Sequence, residues 1–63
     1  MNKAEYTLLS YLIFNPNFYL LRASEITEDI FTTDESKRVL NAIKTLLEAG
    51  KNVNTITVSD TLN

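Results

Sequence analysis

Apolar residues recur at helical spacing along two long stretches of this chain, separated by a proline break and an acidic connector. In the first stretch Leu8, Leu9, Leu12 and Ile13 fall on one arc at about 100° per residue, which predicts a helix over Lys3 to Phe14. Asn2 can cap it, and Glu5 three residues on completes a capping box in which each side chain satisfies an orphan backbone N–H. Glu5 also lies on the apolar arc, an odd place for a carboxylate. Its position in the first turn explains it as a cap and dipole partner, and a functional carboxylate is the sharper reading. Asn15-Pro16 ends the helix, because a residue before proline avoids the α region while proline suits the first position of a new helix. Asn15 is then the cap of a second helix from Pro16 to about Ala23, whose Phe18, Tyr19, Leu20 and Leu21 are consecutive and wrap around it.

Ser24 to Thr33 reads as a connector with one helical turn, Thr27 to Ile30, capped by Thr27 and followed by the dipole-matching acids Glu28 and Asp29. Ile30 and Phe31 are expected to plug the core from this connector. The best-defined element follows, from Asp34 to Ala49. Val39, Leu40, Ile43, Leu46 and Leu47 share one face, while Lys37, Asn41, Lys44 and Glu48 face away. Thr33 is the cap candidate and Gly50 supplies the left-handed residue that commonly ends a helix. The tail is ambiguous. Val53, Thr55, Ile56, Thr57 and Val58 favour a strand by local propensity, yet no partner strand is at hand and a lone strand is unstable. The alternative is a helix capped by Asn54 or Thr55, with Val58 and Leu62 on one face.

Length then limits what these elements can build. A chain of 63 residues makes one small domain over 1–63, and a core of this size rarely supplies more than about 3–5 kcal/mol. With no cysteine and no histidine, disulfides and the usual thiolate or imidazole metal sites are excluded, and the carboxylates show no calcium-loop spacing. No cofactor is expected. Ser10, Ser24, Ser36 and Ser59 have no candidate base among their neighbours, and a single glycine rules out a phosphate-cradling Walker A loop. The chain is therefore not an enzyme by its own inventory. Eight acidic residues stand against six basic ones, and Lys37-Arg38 is the only adjacent basic pair, which argues against nucleic-acid binding. The longest apolar runs, Tyr11 to Phe14 and Phe18 to Leu21, are far shorter than the roughly twenty residues that cross a bilayer. The N-terminus lacks the layout of a signal peptide, so a cytoplasmic location is expected.

The order and spacing of these parts resemble the N-terminal domain of replicative DNA helicases of the DnaB family. The matching residues are A-E-x-x-L-L-x-x-L-I at Ala4 to Ile13, Pro16 opening the second helix, and I-F at Ile30-Phe31. They continue with V-L-x-A-I-x-x-L-L-x-x-G at Val39 to Gly50 and V-N-x-I-T-V-x-x-x-L at Val53 to Leu62. The resemblance implies an all-α fold, a small orthogonal bundle of about four helices, with the tail a helix entered near Thr55 to Thr57. It also implies a role in the N-terminal collar of a hexameric helicase, where such domains pair with one another and help dock the primase. The chain departs from the family in having Asn54 where an acid is frequent, Ser36 in place of a histidine and Leu40 in place of an aromatic. The helical hairpin that follows in the family is absent, so contacts that depend on it are not implied. The helicase-binding domain at the C-terminus of bacterial primase is similar to the same helical head, although the I-T-V block fits the helicase side better.

Residues left over after the core is assigned mark the candidate interface: Tyr6, Tyr11, Phe14, Phe18 and Tyr19, an aromatic region around the Asn15-Pro16 corner. Extra core is the plain reading of these rings, and a surface for self-association, for primase or for helicase is the functional one. A helix-turn-helix DNA binder is a further class, but the recognition helix it needs after the tail is missing. Met1 and the end at Asn63 suit either a fragment of a larger protein or a small stand-alone, phage-borne protein that binds or imitates the collar.

Overall fold

A computed structural model describes residues 3–63. Among these it is all-α, with α1 at Lys3–Phe14, α2 at Pro16–Leu21, a 3-10 turn at Glu28–Ile30, α3 at Asp34–Glu48 and α4 at Thr55–Leu62. The radius of gyration is 10.5 Å. α3 packs against both α1 and α4, and α2 folds back on α1.

The two halves of α1's environment follow from its phase. Leu9 and Leu12 point into the core with Leu40, Ala42, Ile43 and Leu46 of α3, while Leu8 and Ile13 are half-buried at its margin. Asn15 does not cap α2 as expected. Its side chain makes no capping bond to that helix and its Nδ2 donates instead to the Tyr11 carbonyl at 3.2 Å, beside the bond from its own backbone N–H at 2.8 Å. Asn15 therefore closes α1, and Pro16 opens α2 through its fixed φ and missing donor. α2 ends at Leu21, short of Ala23, because the chain turns: Glu25 and Ile26 both donate backbone N–H bonds to the Arg22 carbonyl.

That turn decides which connector residues reach the core. Ile26 and Phe31 are buried, whereas Ile30 is exposed, so the expected Ile30-Phe31 plug is an Ile26-Phe31 pair. Thr27 occupies the position before the 3-10 turn in extended conformation but makes no side-chain cap. Glu28 instead accepts a bond from Asn41 of α3, tying the connector down from its outer side.

α3 begins and ends as its sequence predicts. The Thr33 hydroxyl accepts the Ser36 backbone N–H at 3.1 Å. At the other end Lys51 N–H reaches the Leu46 carbonyl and Gly50 N–H the Leu47 carbonyl, a Schellman closure around Gly50 at φ 71°. A Cβ at Gly50 would meet nothing within 4 Å, so the requirement for glycine is conformational alone. Gly50→Ala is expected to lower stability by about 1–2 kcal/mol, read as a shift in the thermal denaturation midpoint with the helical signal intact.

The ambiguous tail is a helix. Asn54 Oδ1 accepts from Ile56 N and Thr57 N, both at 2.9 Å, and Thr57 Oγ1 accepts from Asn54 N at 2.9 Å, a complete capping box. Val58 then buries against α3. Cap and tertiary packing together override the β propensity of the branched residues. Asp is as good an N-cap as Asn, so an acid at this position serves the same purpose.

Candidate protein-interaction surface

The candidate aromatics separate into three environments. Tyr19 is buried in the core with Ile26, Leu40 and the rest, so it is withdrawn from the surface on which the sequence placed it. Tyr11 and Phe18 pair across the α1–α2 corner, ring centroids 5.1 Å apart at 88°, the edge-to-face geometry aromatic rings favour. Phe18 is half-buried against the core and Tyr11 remains exposed. Tyr6 and Phe14 are the freest of the five, 64% and 75% exposed. They stand on the same side of α1, with the smaller Ser10 between them.

Tyr6 and Phe14 line an open groove of about 400 Å³ between α1 and α4. Ser10 and Ile13 complete the α1 wall, and Thr55, Val58, Ser59 and Leu62 of α4 form the opposite one. Both walls are helical stripes: residues 6, 10, 13 and 14 on one, residues 55, 58, 59 and 62 on the other. None of the eight carries a charge. The groove exists because α1 and α4 each pack on α3 rather than tightly on each other. No pattern within the tail shows that its Val58 and Leu62 face lies opposite α1, so the α4 wall is not among the residues the sequence singles out. The i, i+4 pair Val58 and Leu62 was its one visible sign.

One buried carboxylate sits outside this groove. Glu5 is 6% exposed, and its Oε1 and Oε2 accept the backbone N–H and the hydroxyl of Thr32 at 2.7 and 2.8 Å. Burial raises its pKa, but those bonds, with further ones from the Ser36 hydroxyl and the Thr33 backbone, outweigh burial and hold it below the ordinary glutamate value. The proposed Asn2 partner lies outside the described residues. What the structure does show is that Glu5 faces the N-terminus of α3, where the helix dipole favours a negative charge. Its bonds are those of a structural tie. Among the described residues no group of acids could hold a metal ion.

The model of the DnaB-like helicase N-terminal domain family matches residues 1–63. The chain belongs to that family. The match covers both halves of the sequence pattern and falls on the helicase side of the helicase–primase pair. It assigns the chain to a helicase-associated domain of DNA replication, and to the non-catalytic N-terminal domain of such helicases rather than the ATP-hydrolysing motor. No curated protein matches the chain significantly, and no solved structure does. Among the described residues no helix is long and apolar enough to cross a membrane.

Proposed function

We propose that this chain is a non-catalytic protein-interaction module of a replicative helicase's N-terminal collar, active in the cytoplasm, which pairs with a second collar domain and contributes to contact with primase. The observation that carries this reading is the uncharged groove between α1 and α4, flanked by exposed Tyr6 and Phe14. Exposed aromatics beside an apolar cleft are the composition of protein interfaces, and the scattered basic residues offer no track for a phosphate backbone. Family membership supplies the setting.

Phe14→Ser is expected to raise the dissociation constant for self-pairing about thirtyfold, the value of an aromatic anchor worth about 2 kcal/mol. Tyr11→Ser should act in the same direction but less, because the Tyr11 ring already leans on Phe18. Analytical ultracentrifugation over a concentration series reads both, with circular dichroism to show that the helices persist. A wild-type chain that is monomeric at millimolar concentration, and that also fails to bind the helicase-binding domain of primase, overturns the proposal.

A further inference from the structure

The two ends of α1 are held in different ways. Of the described residues up to Thr7, only Glu5 is buried, and Lys3, Ala4, Tyr6 and Thr7 are exposed. The Thr7 hydroxyl donates to the Lys3 carbonyl at 2.9 Å, a bond inside the helix. Leu9, one turn further on, is the first apolar side chain of α1 to lie in the core. The first turn therefore has no buried apolar anchor of its own. What fastens it is the Glu5 carboxylate, whose oxygens accept the backbone N–H and the hydroxyl of Thr32 at 2.7 and 2.8 Å. At the other end Leu12 is fully buried, Ile13 packs on the core, and the Tyr11 ring meets Phe18 of α2.

Such a helix is unevenly stable along its length. Its opening N–H groups have no intrahelical acceptor, and a segment with few buried apolar contacts opens at low free energy without the rest of the fold. A polar anchor also fails differently from an apolar one, because the loss of one donor or one charge removes most of its hold. Thr32 is itself exposed, so the donor side of the contact borders solvent. Tyr6 follows Glu5 directly and lines the α1/α4 groove, while Phe14 lines the same groove from the far end of α1.

We propose that the Glu5–Thr32 contact is a latch on one end of this groove. When it releases, the turn from Lys3 to Thr7 detaches from the entry of α3 and carries Tyr6 out of the groove, while the rest of α1 stays packed and Phe14 remains in place. The groove thus has a fixed end at Phe14 and a latched end at Tyr6. The latch itself needs no partner; that its state sets how much of the groove a partner meets rests on the interaction reading above.

Amide hydrogen exchange tests the latch, because within α1 the N–H groups of Thr7 and Leu8 bond to the carbonyls of Lys3 and Ala4. In Glu5→Gln, exchange at Thr7 and Leu8 should be about tenfold or more faster, the loss expected of a hydrogen bond to a charged group. Gly50→Ala, which loosens the fold from the far end of α3, should instead quicken Ile43 and Leu46 and leave Thr7 and Leu8 close to the wild type. Thr32→Val changes an exposed position and keeps the backbone donor, so it should quicken Thr7 and Leu8 in the same sense but less. Thr32→Ser, which keeps the hydroxyl, should exchange like the wild type. Exchange at Thr7 and Leu8 that rises in Glu5→Gln only in step with Ile43 and Leu46, or that Thr32→Val leaves unchanged, overturns the latch, since the first turn then opens only with the whole fold. None of these readings involves a partner, so the latch can fail while the collar reading stands. A latch that behaves as expected in a chain that binds neither a second copy nor primase removes the collar reading alone.

Discussion

Ile43→Ala is expected to leave this chain largely unfolded at room temperature. Ile43 is fully buried, at the point where α3 meets the core residues Leu9 and Leu12 of α1. Removing its branched side chain costs about 2–5 kcal/mol, the lost transfer energy plus the cavity left behind. A core of this size supplies about 3–5 kcal/mol in all, so a single such loss consumes most of the margin. Lys44 lies one residue further on and faces solvent. Lys44→Ala should change stability by less than about 0.5 kcal/mol. Thermal and urea denaturation followed by circular dichroism would separate the two variants. Equal effects would mean that the face of α3 assigned to the core is wrong.

The α3 face was readable because its signals agree with one another. Leu40, Ile43 and Leu46 keep the helical period, Thr33 and Gly50 bracket it, and each contributes through bonds made within a few residues. Local chemistry of that range survives in a one-dimensional reading. Ala42 and Ser36 of the same helix are equally buried but give no such signal, since a small residue or a serine on a helix is unremarkable in sequence. The fate of the connector was less legible. Whether Ile26 or Ile30 turns inward depends on the turn at Arg22, which shortens α2 and resets the phase, and that turn is closed by backbone bonds any sequence can make. Tyr19 and Phe14 show the same limit for the interface. Both are aromatics near the proline corner, yet one is buried and the other exposed. The groove itself joins residues of α1 to residues of α4, and no periodicity within either helix reveals that they face each other.

Glu5 carries the second large expected effect, through a partner far from it in the sequence. A carboxylate on an apolar arc is costly unless its oxygens are satisfied. Here Thr32, twenty-seven positions along the chain, supplies both a backbone N–H and a hydroxyl. The Thr33 hydroxyl donates to Ser36 Oγ at 2.8 Å, which leaves the Ser36 proton free for Glu5. These bonds tie the first turn of α1 to the entry of α3, and they favour the ionised carboxylate. Because the folded-state pKa is depressed, the stabilisation is fully present above the ordinary glutamate value and is lost as pH falls through it toward the lower folded value. Glu5→Gln keeps the shape but removes the charge, so it should be clearly less stable than the wild type at pH 7. The gap between the two should shrink steadily once the pH drops below about 5 and should nearly close when the wild-type carboxyl is protonated. Denaturation midpoints of both chains from pH 7 down to about pH 3 would show this convergence. A gap of constant size across the whole range would mean that Glu5 holds α1 to α3 by packing alone, and that its ionised form is not what the Thr32 site selects.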